Sequence, residues 1–350
     1  MRPVGRLGIV LLVLLGLGSG CAMAGYLTQA GLGQVALWRA ARPLPSVVAD
    51  PTTSPRVRGL LMAVPRVVDF GAAHGLKATR HYRQYVELPG PAVCWVVSAS
   101  APLAFEPRVW SFPVVGSFPY LGWFDRMDAV AHAEALRAEG LDVDVRPVGA
   151  YSTLDFFPDP VLSSMIPEGP AAAGALANTI LHESVHATLH LDGQGTFNES
   201  LASFVADALT PLFLHTEYGA TSAELAAWTD GETRGAVVLA ALRDVTAQLE
   251  TLYASSTRDD EKRNHKWRLL AQTRARLDLR RGLNNASLQG YRTYASGLEL
   301  FGALLTHCGG DHARLLSTLR RHARAAFAGP QQQALEPVLR HVLAQPCGSR

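Results

Sequence analysis

The stretch "LANTILHESVHATLH" (176–190) places His182, Glu183 and His186 in the spacing HExxH. On an α-helix, residues four apart lie about 40° apart around the axis, so the two imidazoles project from neighbouring turns of one face. Glu183 falls roughly 60° from His186 on the same side. Two imidazoles on a zinc ion, with a carboxylate beside it to take a proton from an activated water, are the parts of a zinc hydrolase. Such a site also needs a third protein ligand. Glu199, in "TFNESLASFVADAL", is the candidate on a second helix opening with Asn198-Glu199. A competing role is open to it, because Thr196 to Glu199 also fits a capping box. His190 is the rival ligand, but it stands about 80° further round and some 12 Å along the axis from His182. It reads better as a histidine at a helix C-terminus.

The surrounding elements must position these groups. Residues 26–42 read as a helix ended by Pro43 and Pro45. The helical pattern resumes through "RVRGLLMAVPRVVDFGAAHG", with a break at Pro65. From Tyr82 the chain turns to short runs rich in Val and aromatics, "YRQYVELPG", "AVCWVVSAS", "VWSFPVVG" and "GLDVDVRPVGAY", which read as strands. Between the third and fourth, "DRMDAVAHAEALRAEG" is a helix stopped by Gly140. Past residue 170 the pattern is almost wholly helical; Val238, Leu242, Val245, Leu249 and Leu252 keep one apolar face. The expected class is α+β, mainly helical, with a small mixed sheet before the HExxH helix and a helical C-terminal half. The chain divides as a signal peptide (1–20), an N-terminal helix and linker (21–55), a catalytic region (56–210) and a helical region (211–350).

No G-x-S-x-G elbow, dinucleotide loop or phosphate loop occurs. The 350 residues carry a formal charge of +2, and three of the 32 basic residues are Lys, so nothing points to nucleic acid. The basic run from Arg258 to Arg281 is interleaved with acids and reads as a solvated helix face. The N-terminus, "MRPVGRLGIVLLVLLGLGSGCAMAGY", has a basic start, an apolar run from Leu7 to Leu17, then small residues, which is an export signal. Two processing outcomes are open: lipidation of Cys21, anchoring the chain to a bacterial membrane facing the periplasm, or cleavage after Ala24. In an oxidising compartment Cys308 and Cys347 are the pair to test for a disulfide, and Cys94 reads as a buried thiol. His307, Cys308 and His312 read as an inter-helix turn with Asp311 as N-cap.

The Asn-Glu pair resembles that of the gluzincins, whose second helix turns back to put its Glu on zinc. With "VWSFPVVGSFPYLGWFD", "GAYSTLDFFPDPVLSSM", "LYASSTRDDEKRNHK" and "NNASLQGYRTYASGLELF", the chain is similar to the bacterial family described as putative aminopeptidases, exported zincin-like lipoproteins. The resemblance implies zinc on His182, His186 and Glu199, Glu183 as general base and acid, peptide as substrate, and lipidation at Cys21. Gluzincins add a Tyr or His for the oxyanion, and Tyr294 is the candidate; a core tyrosine is the alternative. Tyr151 is a candidate for the substrate cleft, and Asp155 and Asp159 for a substrate amine. Relatives carry cysteines where this chain has Ser111 and Ser117, implying a missing disulfide. The alternative function is an envelope binding or scaffold protein whose zinc is structural or absent; no protein partner is indicated.

Overall fold

A computed structural model describes residues 25–77, 80–112, 116–150 and 158–349. Helix α1 spans 25–40 and stops two residues earlier than the prolines suggest, because Arg42–Pro43 is extended and pairs as β1 with β2, Gln84–Val86. After α2 (Leu44–Ala49), α3 runs over Pro55–Ala73, with Ser54 Oγ accepting from Val57 N and Pro55 in the first turn. The expected break at Pro65 does not occur. Leu61, Val64 and Val67 on either side of it are almost wholly buried, and that apolar stripe outweighs one missing backbone hydrogen bond.

The central sheet has β3 (Cys94–Ser100) between β6 (Leu121–Trp123) and β7 (Asp142–Val148), antiparallel to both. Strand alternation divides its faces. Trp95, Val97 and Ala99, with Val143 and Val145, pack against α4 (Arg126–Ala138), where Ala129 and Ala133 allow close approach. Cys94 and Val96, with their register partners Val148 and Arg146, point the other way. Asp125 caps α4, and Gly140 takes φ +83° at its end, as the sequence predicts. The run "VWSFPVVG" supplies the hairpin β4–β5 (Trp110–Phe112 and Gly116–Phe118), with Ser111 opposite Ser117. A further short strand, β8 (Val161–Leu162), runs parallel to β2.

The rest is helical, and the α+β, mainly helical class holds. Helices α5 (Ala172–Thr188) and α6 (Gly195–Tyr218) form the centre of the main core, with Ile180, Leu181 and Val185 packed among Phe197, Leu201 and Val205. Helices α7 (Ala223–Ala254), α8 (Asp259–Arg276) and α9 (Asn285–Ala295) share a second cluster around Leu242, Val245, Leu249, Leu270 and Leu288. The α8 face is not wholly solvated: Lys266 is buried on Asp142 and on Pro102 O at 2.8 Å, and Lys262 binds Tyr253 O at 2.8 Å. Helices α10 (Leu298–His307), α11 (His312–His322) and α12 (Glu336–Leu343) close the main core. Cys308 and Cys347 are joined as a disulfide, Cys94 is free and buried, and Asp311 caps α11 through Ala313 N and Arg314 N.

Candidate active site

Helix α5 ends at Thr188, and the chain crosses to α6 in six residues, turning at Gly193 with φ +73°. Asn198 sets the crossing geometry. Its Oδ1 accepts from Leu191 N at 2.9 Å and its Nδ2 donates to Leu191 O at 2.9 Å, so one buried amide satisfies both backbone groups of the turn. Because α6 begins at Gly195, Glu199 stands in its second turn and no capping box forms with Thr196; the N-cap is Gln194. Glu199 is released for the other role.

Glu199 Oε2 lies 3.3 Å from His182 Nε2 and 3.6 Å from His186 Nε2, and the three donor atoms fall within 4.8 Å of one another. Ligands about 2.1 Å from a zinc ion at tetrahedral angles stand about 3.4 Å apart. The set therefore fits a small tetrahedral metal ion. Burial would pull His186 down, but the charge and hydrogen bond of Glu199, with Glu183 adding, lift it to about 9. Burial pushes Glu199 up; His186, with the hydrogen bonds of both imidazoles, holds it well below the usual carboxylate range. Nδ1 of His186 is buried and has no hydrogen-bond partner among the described residues.

Glu183 Oε2 is also buried without a hydrogen-bond partner among the described residues. Burial raises its pKa against the pull of His186 and His182, which suits a carboxyl group that must both take and return a proton. Asp159 is not among the described residues that line the cavity. Its carboxylate sits 3.4 Å from His81 Nδ1, which also accepts from Asp159 N at 2.8 Å, and both residues are buried.

These groups form the floor of a cavity of about 450 Å³. One wall is the inward face of β3 and β7, with Cys94, Val96, Arg146 and Val148. The opposite side includes Tyr26, Leu27 and Ala30 of α1, and Phe118, Tyr120 and Phe124 complete an aromatic rim. Helix α1 is tied to the edge strand β6: Tyr26 Oη accepts from Gly122 N at 3.3 Å, and Gln29 bonds Gly122 O and Phe124 N at 3.1 Å each.

Tyr294 enters the cavity from α9, its ring centre 6.2 Å from that of His182. The Arg146 guanidinium lies over its ring, with Cζ 5.7 Å from the ring centre. Burial and the charge of Glu199 push the phenol up to about 12, so it is neutral and able to donate. Asn284 and Asn285 fix α9 on the sheet through Val143 O and the Asp142 carboxylate. His190 lies two residues beyond the end of α5, lines the cavity, and has its Nε2 3.5 Å from Asn198 Nδ2. Burial lowers its pKa, and it stays outside the three-donor cluster. Tyr151, Asp155 and Cys21 lie outside the described residues. Sequence reasoning missed Tyr26, Tyr120 and Arg146. For Arg146 a signal existed: it is the one basic residue in the alternating run "DVDVRPV".

The model of a family described as "Putative aminopeptidase" matches residues 25–334. Comparison with curated proteins and with solved structures returns no match. The match takes in most of the chain and the whole donor cluster, with Glu183 and Tyr294: the chain belongs to this putative aminopeptidase family.

Proposed function

We propose that the chain is a zinc-dependent metallopeptidase of the zincin type that hydrolyses peptide bonds in the bacterial cell envelope. One observation carries the reading: His182, His186 and Glu199 converge at tetrahedral spacing beside Glu183, whose buried Oε2 has no hydrogen-bond partner among the described residues, at the floor of one cavity. A zinc ion held by the three donors would supply Lewis-acid polarisation of the scissile carbonyl and acidify an attacking water. Glu183 accepts the proton of that water and passes it to the departing amine nitrogen. Tyr294, neutral and lying beneath the Arg146 guanidinium, donates to the oxygen on which negative charge develops. The aromatic and aliphatic walls lower the polarity around the reacting groups and so strengthen both interactions.

The Cys308–Cys347 disulfide supports an oxidising compartment, in keeping with the export signal. Among the described residues no helix is long and apolar enough to cross a membrane. Attachment would come through a lipid on Cys21. Metal analysis with a peptide-library digest tests the function: one zinc per chain, and hydrolysis lost in Glu183→Gln with zinc retained. A Glu183→Gln protein as active as the parent refutes it.

A further inference from the structure

One charge in the cavity, that of Arg146, touches none of the reacting groups in this chemistry except through Tyr294. Arg146 enters from β7 among Cys94, Val96 and Val148, so strand alternation aims a guanidinium through an otherwise apolar wall. Among the described residues no carboxylate stands within ion-pairing distance of it. It lies over the ring of the neutral Tyr294, and the acid two residues away on the same strand face, Asp144, is engaged with Arg281. A guanidinium has five donors in a planar fork matched to a carboxylate, and at half-buried Arg146 no carboxylate among the described residues occupies that fork.

The converse holds for a substrate amine. The acids among the described lining residues are Glu183 and Glu199, both committed at the floor, while Asp159 is engaged with His81. Among the described lining residues the spare charge is therefore positive, which suits the carboxyl end of a peptide.

Distance then limits length. The Tyr294 ring centre is 6.2 Å from the His182 ring and 5.7 Å from Arg146 Cζ, so Arg146 lies no further from His182 than the sum of the two. An extended chain spans about 3.3–3.6 Å per residue, so at most about three residues bridge that gap. The cavity, about 450 Å³, lies within the range of roughly 300–1,000 Å³ typical of small-ligand sites.

We propose that Arg146 pairs with the C-terminal carboxylate of the substrate, making this a site for di- and tripeptides with a free carboxyl end. The proposal rests on the metallopeptidase reading and specifies its substrate class. The test uses the full zinc-loaded chain with alanyl-alanyl-phenylalanine, alanyl-phenylalanine and the C-terminal amide of each. The free acids should be preferred in kcat/KM by about ten- to hundredfold, as charge-assisted hydrogen bonds imply. Arg146→Met should cost the acids that much more than the amides, and Arg146→Lys should restore part of the difference. Equal rates on acid and amide overturn the proposal. So does an Arg146→Met loss that is the same on both, which would make Arg146 a positioning residue for Tyr294. Hydrolysis of neither form would instead sink the metallopeptidase reading, and calorimetry on the Glu183→Gln protein then decides the role of Arg146. N-acetylphenylalanine should bind at least about tenfold more tightly than its amide, with the difference removed by Arg146→Met. Equal binding of the two overturns the proposal.

Discussion

The coupling of His186 to Glu199 makes metal uptake a proton-releasing event at a pH where an ordinary histidine is silent. In the metal-free protein the Glu199 carboxylate, reinforced by Glu183, overcomes burial and lifts His186 to about 9. At pH 8 the imidazole is then about nine-tenths protonated, whereas a histidine at its ordinary value near 6.5 would be about 3% protonated. Zinc takes only the neutral ring, so loading at pH 8 should expel about 0.9 proton from this one residue. The count should be made on the parent and on Glu183→Gln, which keeps the three ligands and removes the titration of Glu183; because Glu183 adds to the lift of His186, the variant should release somewhat less than the parent. Calorimetric zinc titrations in two buffers of different ionisation enthalpy read the number directly. The sign for stability follows from the same shift, since the folded pKa lies above the unfolded one. The charge pair stabilises the metal-free fold fully below pH 6.5 and is lost as pH rises through about 9. Release of less than about 0.2 proton at pH 8 would refute the coupling of His186 to Glu199.

Three other outcomes follow from single contacts. Asn198→Ala strips both partners from the backbone of Leu191, so urea titration should show a loss of about 2–4 kcal/mol, and zinc affinity should fall with it. Ser111 and Ser117 are directly opposed in their hairpin with Oγ atoms 2.7 Å apart, so Ser111→Cys with Ser117→Cys should close a disulfide. The short loop predicts a gain of about 2 kcal/mol, read as a rise in Tm that dithiothreitol abolishes. Burial pushes the Cys94 thiol up to about 11, so iodoacetamide at pH 8 should leave it unlabelled until denaturant is added; rapid labelling of the native protein would contradict that environment.

What could be read in the sequence follows how local each feature is. The His182–Glu183–His186 geometry belongs to one helix and needs nothing but its period. Glu199 could be reached because a six-residue crossing must fold the next helix back, although the choice between ligand and cap waited on where α6 begins. The strand runs were legible by composition, and β6 was not, since three residues of "LGW" carry no periodicity. Pro65 misled because local propensity was weighed without the buried stripe that holds α3 together. Arg146, Tyr120 and Tyr26 reach the cavity through strand register and through the pairing of α1 with an edge strand. Those are non-local choices, and no spacing within the chain encodes them.

The triplet Asn198-Glu199-Ser200 shows how a short run can serve three elements at once. Asn198 fastens the turn leaving α5, which carries both histidines. Ser200, wholly buried, donates to Thr293 O at 2.8 Å and accepts from Ser296 N at 3.1 Å, fastening the end of α9 on either side of Tyr294. Glu199 between them is thus held in register with the imidazoles on one side and the phenol on the other. The helix period sets neighbouring residues about 100° apart, so three consecutive side chains can face three different partners without competing. That division explains why the apparent capping motif fails: with Asn198 holding the turn, the helix begins one residue before Thr196. Its carboxylate is then carried past the orphan N–H groups and into the cavity.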